Sequence, residues 1–356
     1  MAGRIAIPKS QIPLYFRALQ DNGVSKFDVE LYPPQFRDPL YTFRLNDYRG
    51  ARVSIRTTSE DYQQAYDAIE RDHGPKSTEF SEIPDAKTYR ESYTTGFVPM
   101  KNQDEIDAIV EDGKAWSTHS GTTVHYIGFD TNLMELRLGE QFKVDPFNED
   151  GIDGYVLPTP VRQELAKTSG KRKLDRSRIK RLSDSFGPQY RALINQKRKR
   201  YRIQQLGLEY WRRLEKQIGT EIVQQEQTDD SAIIEAYAQF ANRGATSLIV
   251  FTNDADFVTV AESRFPTIHV QFPKELPSRI RATWDELADA LYHQAVRFGV
   301  LKVPKATMYG VWSGKEPREW HNDTILLDFN GEFNLTEERL ERYQSLVETW
   351  KGAKNP

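Results

Sequence analysis

The chain has 356 residues, 28% charged and 38% apolar, with a formal net charge of −3. That length exceeds what one hydrophobic core usually serves, so two or three domains are expected, and the composition excludes a disordered or fibrous chain. No apolar run approaches the roughly 18 to 20 residues of a membrane span, and with no cysteine there is no disulfide, thiolate nucleophile or cysteine zinc site to consider.

The opening residues, M-A-G-R-I-A-I-P-K-S, lack the apolar core of a secretory signal; from the absence of cysteine a reducing cytoplasm is expected, and from the absence of an apolar span no membrane partner. Charge is unevenly spread. Between Lys167 and Lys216, seventeen Lys and Arg stand against four acids, a net +13 that leaves −16 on the rest. The sequence therefore describes a basic segment on an acidic body.

Residues 1–75 read as a small α/β accessory module. A short helix is expected over Ser10–Asn22, then strands over Lys26–Tyr32, Tyr41–Asn46 and Ala51–Thr58. In the last of these Val53 and Ile55 alternate with Arg52, Ser54 and Arg56, the period of a half-buried strand. Arg44, Arg52 and Arg56 then share the wet face, for which a solvated sheet face is the plainer reading and phosphate contact the sharper one. Ser59 is placed to cap a helix carrying Tyr62, Tyr66 and Ile69. Pro, Gly, Ser and Thr between His73 and Lys101 predict a linker or surface loop over 76–101.

The next region, 102–275, carries the chemistry. Thr123–Asn132, T-V-H-Y-I-G-F-D-T-N, is an apolar strand ending in Asp130. Y-V-L-P-T-P-V-R-Q-E-L, from Tyr155 to Leu165, is a strand, a proline stop and a helix start that places Glu164 in an early turn. The basic segment reads as two long helices broken near Gly187 and Pro188, a helical insertion over 167–226. Asp229 and Asp230 open a helix whose apolar side is Ile233, Ile234, Tyr237 and Phe240. The strand A-T-S-L-I-V-F-T-N-D-A-D-F then ends at Asp254. Its unbroken Leu248 to Phe251 run suits a parallel strand buried on both faces. In such sheets ligands bind at the carboxyl ends of the strands, so if the two strands lie parallel and close together, Asp130 and Asp254 share one rim. A further strand is expected over Ile268–Phe272. Beyond it, residues 276–356 read as an α+β region, with a capping box at Thr283–Glu286, a hairpin between Ala306–Trp312 and Thr324–Phe329, and a last helix. This region either associates with residues 1–75 or stands alone.

Four pieces in this order, F-D-T-N around Asp130, V-L-P-T-P-V-R-Q-E-L around Glu164, D-D-S-A-I-I around Asp230 and L-I-V-F-T-N-D-A-D-F around Asp254, resemble the PIN-domain nuclease superfamily over about 150 residues, Thr122–Pro273. The resemblance implies a PIN-like three-layer α/β fold with a parallel central sheet, in which Asp130, Glu164, Asp230 and Asp254 gather at one rim as catalytic metal ligands. Asp229 competes with Asp230 for the third position, and Asp256 either joins or replaces Asp254. Asn132 and Thr252 are expected to orient these acids through hydrogen bonds.

Hard, oxygen-only ligands select Mg²⁺ or Mn²⁺, which activates water and neutralises charge on a scissile phosphate. No histidine base is needed, and the six histidines form no ligand spacing. The expected activity is a metal-dependent endoribonuclease acting in defence, toxin-like growth arrest or RNA processing, with RNA favoured over DNA. The alternatives are a flap-type DNA nuclease and a non-catalytic nucleic-acid-binding scaffold. Lys171, Arg172, Lys173, Lys180, Arg181, Lys197, Arg198, Lys199 and Arg200 are the candidate phosphate contacts, interleaved with Tyr190, Tyr201, Tyr210 and Trp211. The same segment also suits docking of an acidic protein inhibitor, and a homo-oligomer stays open.

Overall fold

The computed structural model describes residues 3–46, 49–109, 111, 124–140, 154–167, 173–244, 246–329 and 335–354. In chain order its strands are β1 (Arg4–Pro8), β2 (Lys26–Val29), β3 (Tyr41–Leu45), β4 (Gly50–Ile55), β5 (Val124–Phe129), β6 (Gly154–Pro158), β7 (Glu221–Val223), β8 (Thr246–Thr252), β9 (Thr267–His269), β10 (Arg279–Thr283), β11 (Val300–Val303), β12 (Ala306–Tyr309) and β13 (Thr324–Asp328). The protein is α/β, and its described residues form one parallel and two antiparallel sheets. Among the described residues no helix is long and apolar enough to cross a membrane.

Two compact units emerge, and neither is continuous in sequence. The first comprises residues 1–98, 172–199 and 274–356. It holds two antiparallel sheets of four strands, in the orders β1-β13-β12-β11 and β10-β4-β3-β2. Each joins early and late chain: β1 pairs with β13, and β4 with β10. The N- and C-terminal regions thus fold as one body. β1 is absent from the sequence reading because Ile5 and Ile7 give only two apolar beats, and its pairing partner lies more than 300 positions away. The core is aromatic, with Phe16 edge-on to Phe43 at 5.6 Å and to Trp284 at 6.0 Å, the offset geometry that ring quadrupoles favour.

Residues 76–101, expected to form a linker, are largely helical. Helices Thr78–Glu82 and Ala86–Thr94 start on Ser77 and Asp85, whose side chains accept from Phe80 N–H and Thr88 N–H. Tyr89 stacks on Tyr62 at 4.0 Å and donates its hydroxyl to the Thr57 carbonyl at 2.6 Å. Buried tyrosines with satisfied hydroxyls outweigh the loop-like composition. The cap of helix Ser59–His73 is Thr58 rather than Ser59, in a reciprocal box with Asp61.

Part of the basic segment belongs to this unit. Helix Arg176–Phe186 buries Ile179, Leu182 and Phe186 and packs on helix Thr78–Glu82. Arg181 donates to the Thr78 hydroxyl at 2.9 Å, and the Lys199 ammonium to the Ile83 carbonyl at 2.6 Å. Both cations are hydrogen-bonded into the structure, and residues 173–199 are not a free arm.

The second unit comprises residues 99–171 and 200–273. Its sheet runs β7-β6-β5-β8-β9, every neighbouring pair parallel. The longest pairing sets Val124–Phe129 against Thr246–Phe251. From β5 the chain steps outward to β6 and β7, then returns to lay β8 on the other side of β5 before ending at β9. The direction of winding therefore reverses between β5 and β8. At such a switch point the connections leave to opposite sides and open a crevice at the carboxyl ends of the strands. Ile127, Phe129, Val156, Leu157, Val250 and Phe251 are buried in the sheet, which is why these strands read as unbroken apolar runs.

Candidate active site at the switch point of the parallel sheet

Asp130 follows the last residue of β5. Its N–H donates to the Phe251 carbonyl at 3.1 Å, carrying the β5–β8 ladder one step further. Its backbone then turns extended, φ −70° and ψ 171°, and the carboxylate caps helix Thr131–Leu136 by accepting Leu133 N–H at Oδ1, 2.8 Å away. Oδ2 accepts the Thr252 hydroxyl. The residue is 4% exposed. Burial pushes its carboxyl up to about 6; the bonds from Thr252 and Leu133 oppose the shift, and the Asp254 charge adds to it.

Asp254 lies just past β8 and caps helix Ala255–Ala261, accepting Asp256 N–H at 2.8 Å and Phe257 N–H at 3.4 Å. Its own N–H donates to the Thr252 hydroxyl at 3.0 Å. The fully buried Thr252 side chain therefore joins the two acids, giving its proton to one and accepting from the backbone of the other. Glu164, half-buried in helix Thr159–Ala166, accepts the Thr131 hydroxyl at 2.6 Å, one residue beyond Asp130.

The remaining candidates are placed differently. Asp229 is the cap of helix Asp230–Ala241, accepting Ala232 N–H at 2.9 Å. Asp230 is exposed in the first turn of that helix, and Asp256 is exposed in the first turn of helix Ala255–Ala261. Asn132 is exposed too, and among the described residues no hydrogen bond joins it to these acids. As the side chains stand, no group of three or more acidic or histidine residues, among those described, gathers closely enough to hold a metal ion. The pair that is brought together is Asp130 and Asp254, with Glu164 reaching the same edge through Thr131.

Two further residues shape the edge. The Tyr237 hydroxyl accepts Phe129 N–H at 2.9 Å and donates to the Phe129 carbonyl at 2.8 Å, pinning the end of β5 from helix Asp230–Ala241. A side chain at Gly128 would overlap that ring. The glycine in I-G-F-D is the sequence signal for this close approach; nothing local marks Thr131 as the partner of Glu164.

Of the candidate phosphate contacts, Lys173, Lys180, Arg181 and Arg200 are exposed, whereas Lys197, Arg198 and Lys199 are half-buried. Lys171 and Arg172 lie outside the described residues. No protein-family model matches the chain, and no curated protein sequence matches it.

Proposed function

We propose that the second unit is a PIN-like, divalent-metal-dependent nuclease that hydrolyses phosphodiester bonds, with RNA as the favoured substrate. One observation carries this reading: a buried carboxylate at the switch point of a parallel sheet has, among the described residues, hydrogen bonds and a second carboxylate for company but no cation. Buried charges are ordinarily paired or coordinate a metal, and side-chain oxygens without histidine or thiolate suit a hard ion. The donor chemistry fits Mg²⁺ or Mn²⁺, with Asp130 and Asp254 as its first ligands and Glu164 as the third once its bond to Thr131 is exchanged.

A bound ion of this kind supplies activated water and neutralises charge on the phosphate. The chain's own residues do the rest. Thr252 fixes the rotamer of Asp130 and the backbone of Asp254, and Tyr237 holds the strand end that carries Asp130. At the start of helix Thr131–Leu136 the Leu133 N–H donates to Asp130 Oδ1, which favours the ionised carboxylate.

The test incubates purified full-length protein with labelled single-stranded RNA, single-stranded DNA and flap duplex, in Mn²⁺, Mg²⁺ or chelator, beside Asp130→Asn. The proposal expects metal-dependent cleavage of RNA that the variant loses while it stays folded. Cleavage that persists in chelator or in the variant overturns it, as does the absence of cleavage on every substrate.

A further inference from the structure

The outer face of the β10-β4-β3-β2 sheet carries one unbroken row of cations. Lys26 stands opposite Arg44, Arg44 opposite Arg52, and Arg52 opposite Arg281, so each of the four strands contributes one. Side chains alternate across a pleated sheet. Phe27, Phe43, Val53 and Ala282 are buried on the other side, and the alternation turns the four cations outward together. Arg279 lies on the same face two residues along β10, and Arg56 extends the face just past β4. All six are exposed. They line a groove of about 800 Å³. With neighbouring strands about 4.8 Å apart, the four-cation row spans about 14 Å.

This arrangement is not what a merely solvated face looks like. Like charges directly opposite one another weaken strand pairing, and opposite charges strengthen it. Yet among the described residues none of the six enters an ion pair. Asp28, the carboxylate on the same face of β2, accepts the Thr42 hydroxyl instead. The row sets its positive charges at a regular spacing of a few ångströms, and among the described residues that line the groove none is an aromatic ring to stack on a base.

We propose that this face binds the phosphate backbone of a nucleic-acid strand without regard to base sequence. Its chemistry complements a linear polyanion with charges repeating at similar spacing. The proposal stands independently of the catalytic reading, because it concerns a different unit of the chain and a different set of residues.

The experiment measures fluorescence anisotropy of labelled oligouridylate and of a mixed-sequence RNA with full-length protein in chelator, over about 50 to 200 mM salt. Four phosphate contacts to a single strand contribute about −2.8 to the slope of log affinity against log salt. Arg44→Gln with Arg52→Gln is expected to remove about 1.4 of that slope and to weaken binding about tenfold at the lowest salt, equally for both RNAs. The same double variant should unfold at an equal or higher temperature, since it removes facing like charges; a fold defect would show there instead.

Unchanged affinity and slope in the double variant overturn the proposal, as does a wild type that fails to bind RNA at the lowest salt. A loss of heparin binding with RNA binding intact also overturns it, by assigning the face to another polyanion. Binding that is lost in the double variant while cleavage fails in every metal leaves this proposal standing and removes only the nuclease.

Discussion

The Thr252 hydroxyl donates to Oδ2 of Asp130 while accepting the backbone N–H of Asp254. One fully buried side chain therefore links the ends of two adjacent parallel strands and both candidate metal ligands. Thr252→Val keeps the shape but leaves a buried carboxylate oxygen and a backbone N–H without their partner. The expected cost is about 1 to 3 kcal/mol in urea unfolding, with cleavage reduced well beyond the loss of folded protein. Thr252→Ser, which restores the hydroxyl, should recover most of both; a serine variant no better than valine would remove the hydroxyl from the account.

The raised carboxyl of Asp130 makes stability depend on pH. Burial moves it from 3.8 to about 6, so between these values the folded protein holds a proton that the unfolded chain has lost. The folded state thus binds more protons across that window, and stability falls as pH rises through it. The stabilisation is fully present below about pH 4 and lost above about pH 6, and a two-unit shift amounts to roughly 3 kcal/mol. Denaturation of the metal-free protein in chelator should show this decline in the wild type minus Asp130→Asn difference. Parallel wild-type and variant curves would contradict it. Added Mg²⁺ should raise the wild-type midpoint most at the alkaline end, where the carboxylate is ionised and a bound cation stabilises only the folded state.

The parallel sheet and its acidic edge were legible in the sequence because both faces of its strands are buried. Such strands show as apolar runs, Leu248 to Phe251 above all, and the β5 and β8 runs end where Asp130 and Asp254 cap the helices that follow. The first unit was less legible. Its sheets are closed by pairings such as Ile5 with Leu327, and no local period reports a partner more than 300 residues distant. Residues 76–101 were obscured for a related reason: Ser77 and Asp85 read equally well as loop residues and as helix caps, and only the packing of Tyr89 on Tyr62 decides between them. In the site, Asp229 and Asp230 resemble one another in sequence, and the bond from Ala232 N–H separates them. Charge alone does not report that Arg181 and Lys199, which the sequence groups with phosphate contacts, also donate hydrogen bonds within the fold, to the Thr78 hydroxyl and the Ile83 carbonyl.

Tyr237 offers a test of how rigid the edge must be. Its hydroxyl meets both backbone groups of Phe129, immediately before Asp130. Tyr237→Phe leaves those groups without this partner and should cost about 1 to 3 kcal/mol, lowering cleavage without abolishing it. Gly128→Ala places a methyl group within the same ring, so the tyrosine or the strand must move. Its cost should be similar or larger, in the range of about 1 to 3 kcal/mol for overpacking. Combining the two changes should cost less than their sum, because both act on one contact; strict additivity in denaturant unfolding would show that they act separately.

The acids themselves should rank by position rather than by charge. Asp130 is buried with Asp254 beside it, Glu164 reaches the edge through Thr131, and Asp230 and Asp256 point into solvent from the first turns of their helices. If a hard cation is held first by the linked pair, then Asp130→Asn and Asp254→Asn should each lower cleavage by about a hundredfold or more, a loss of several kcal/mol of charge stabilisation. Glu164→Gln should fall between, since its carboxylate must first leave Thr131. Asp256→Asn should stay within a few-fold of wild type. Asp230→Asn separates two arrangements: a small effect means the ion is held by three acids, whereas a loss matching Asp254→Asn means that the helix start swings inward on metal binding. Titrating Mn²⁺ against each variant reads this directly, because removing a ligand raises the metal concentration needed for half-maximal cleavage, while removing a bystander leaves it unchanged.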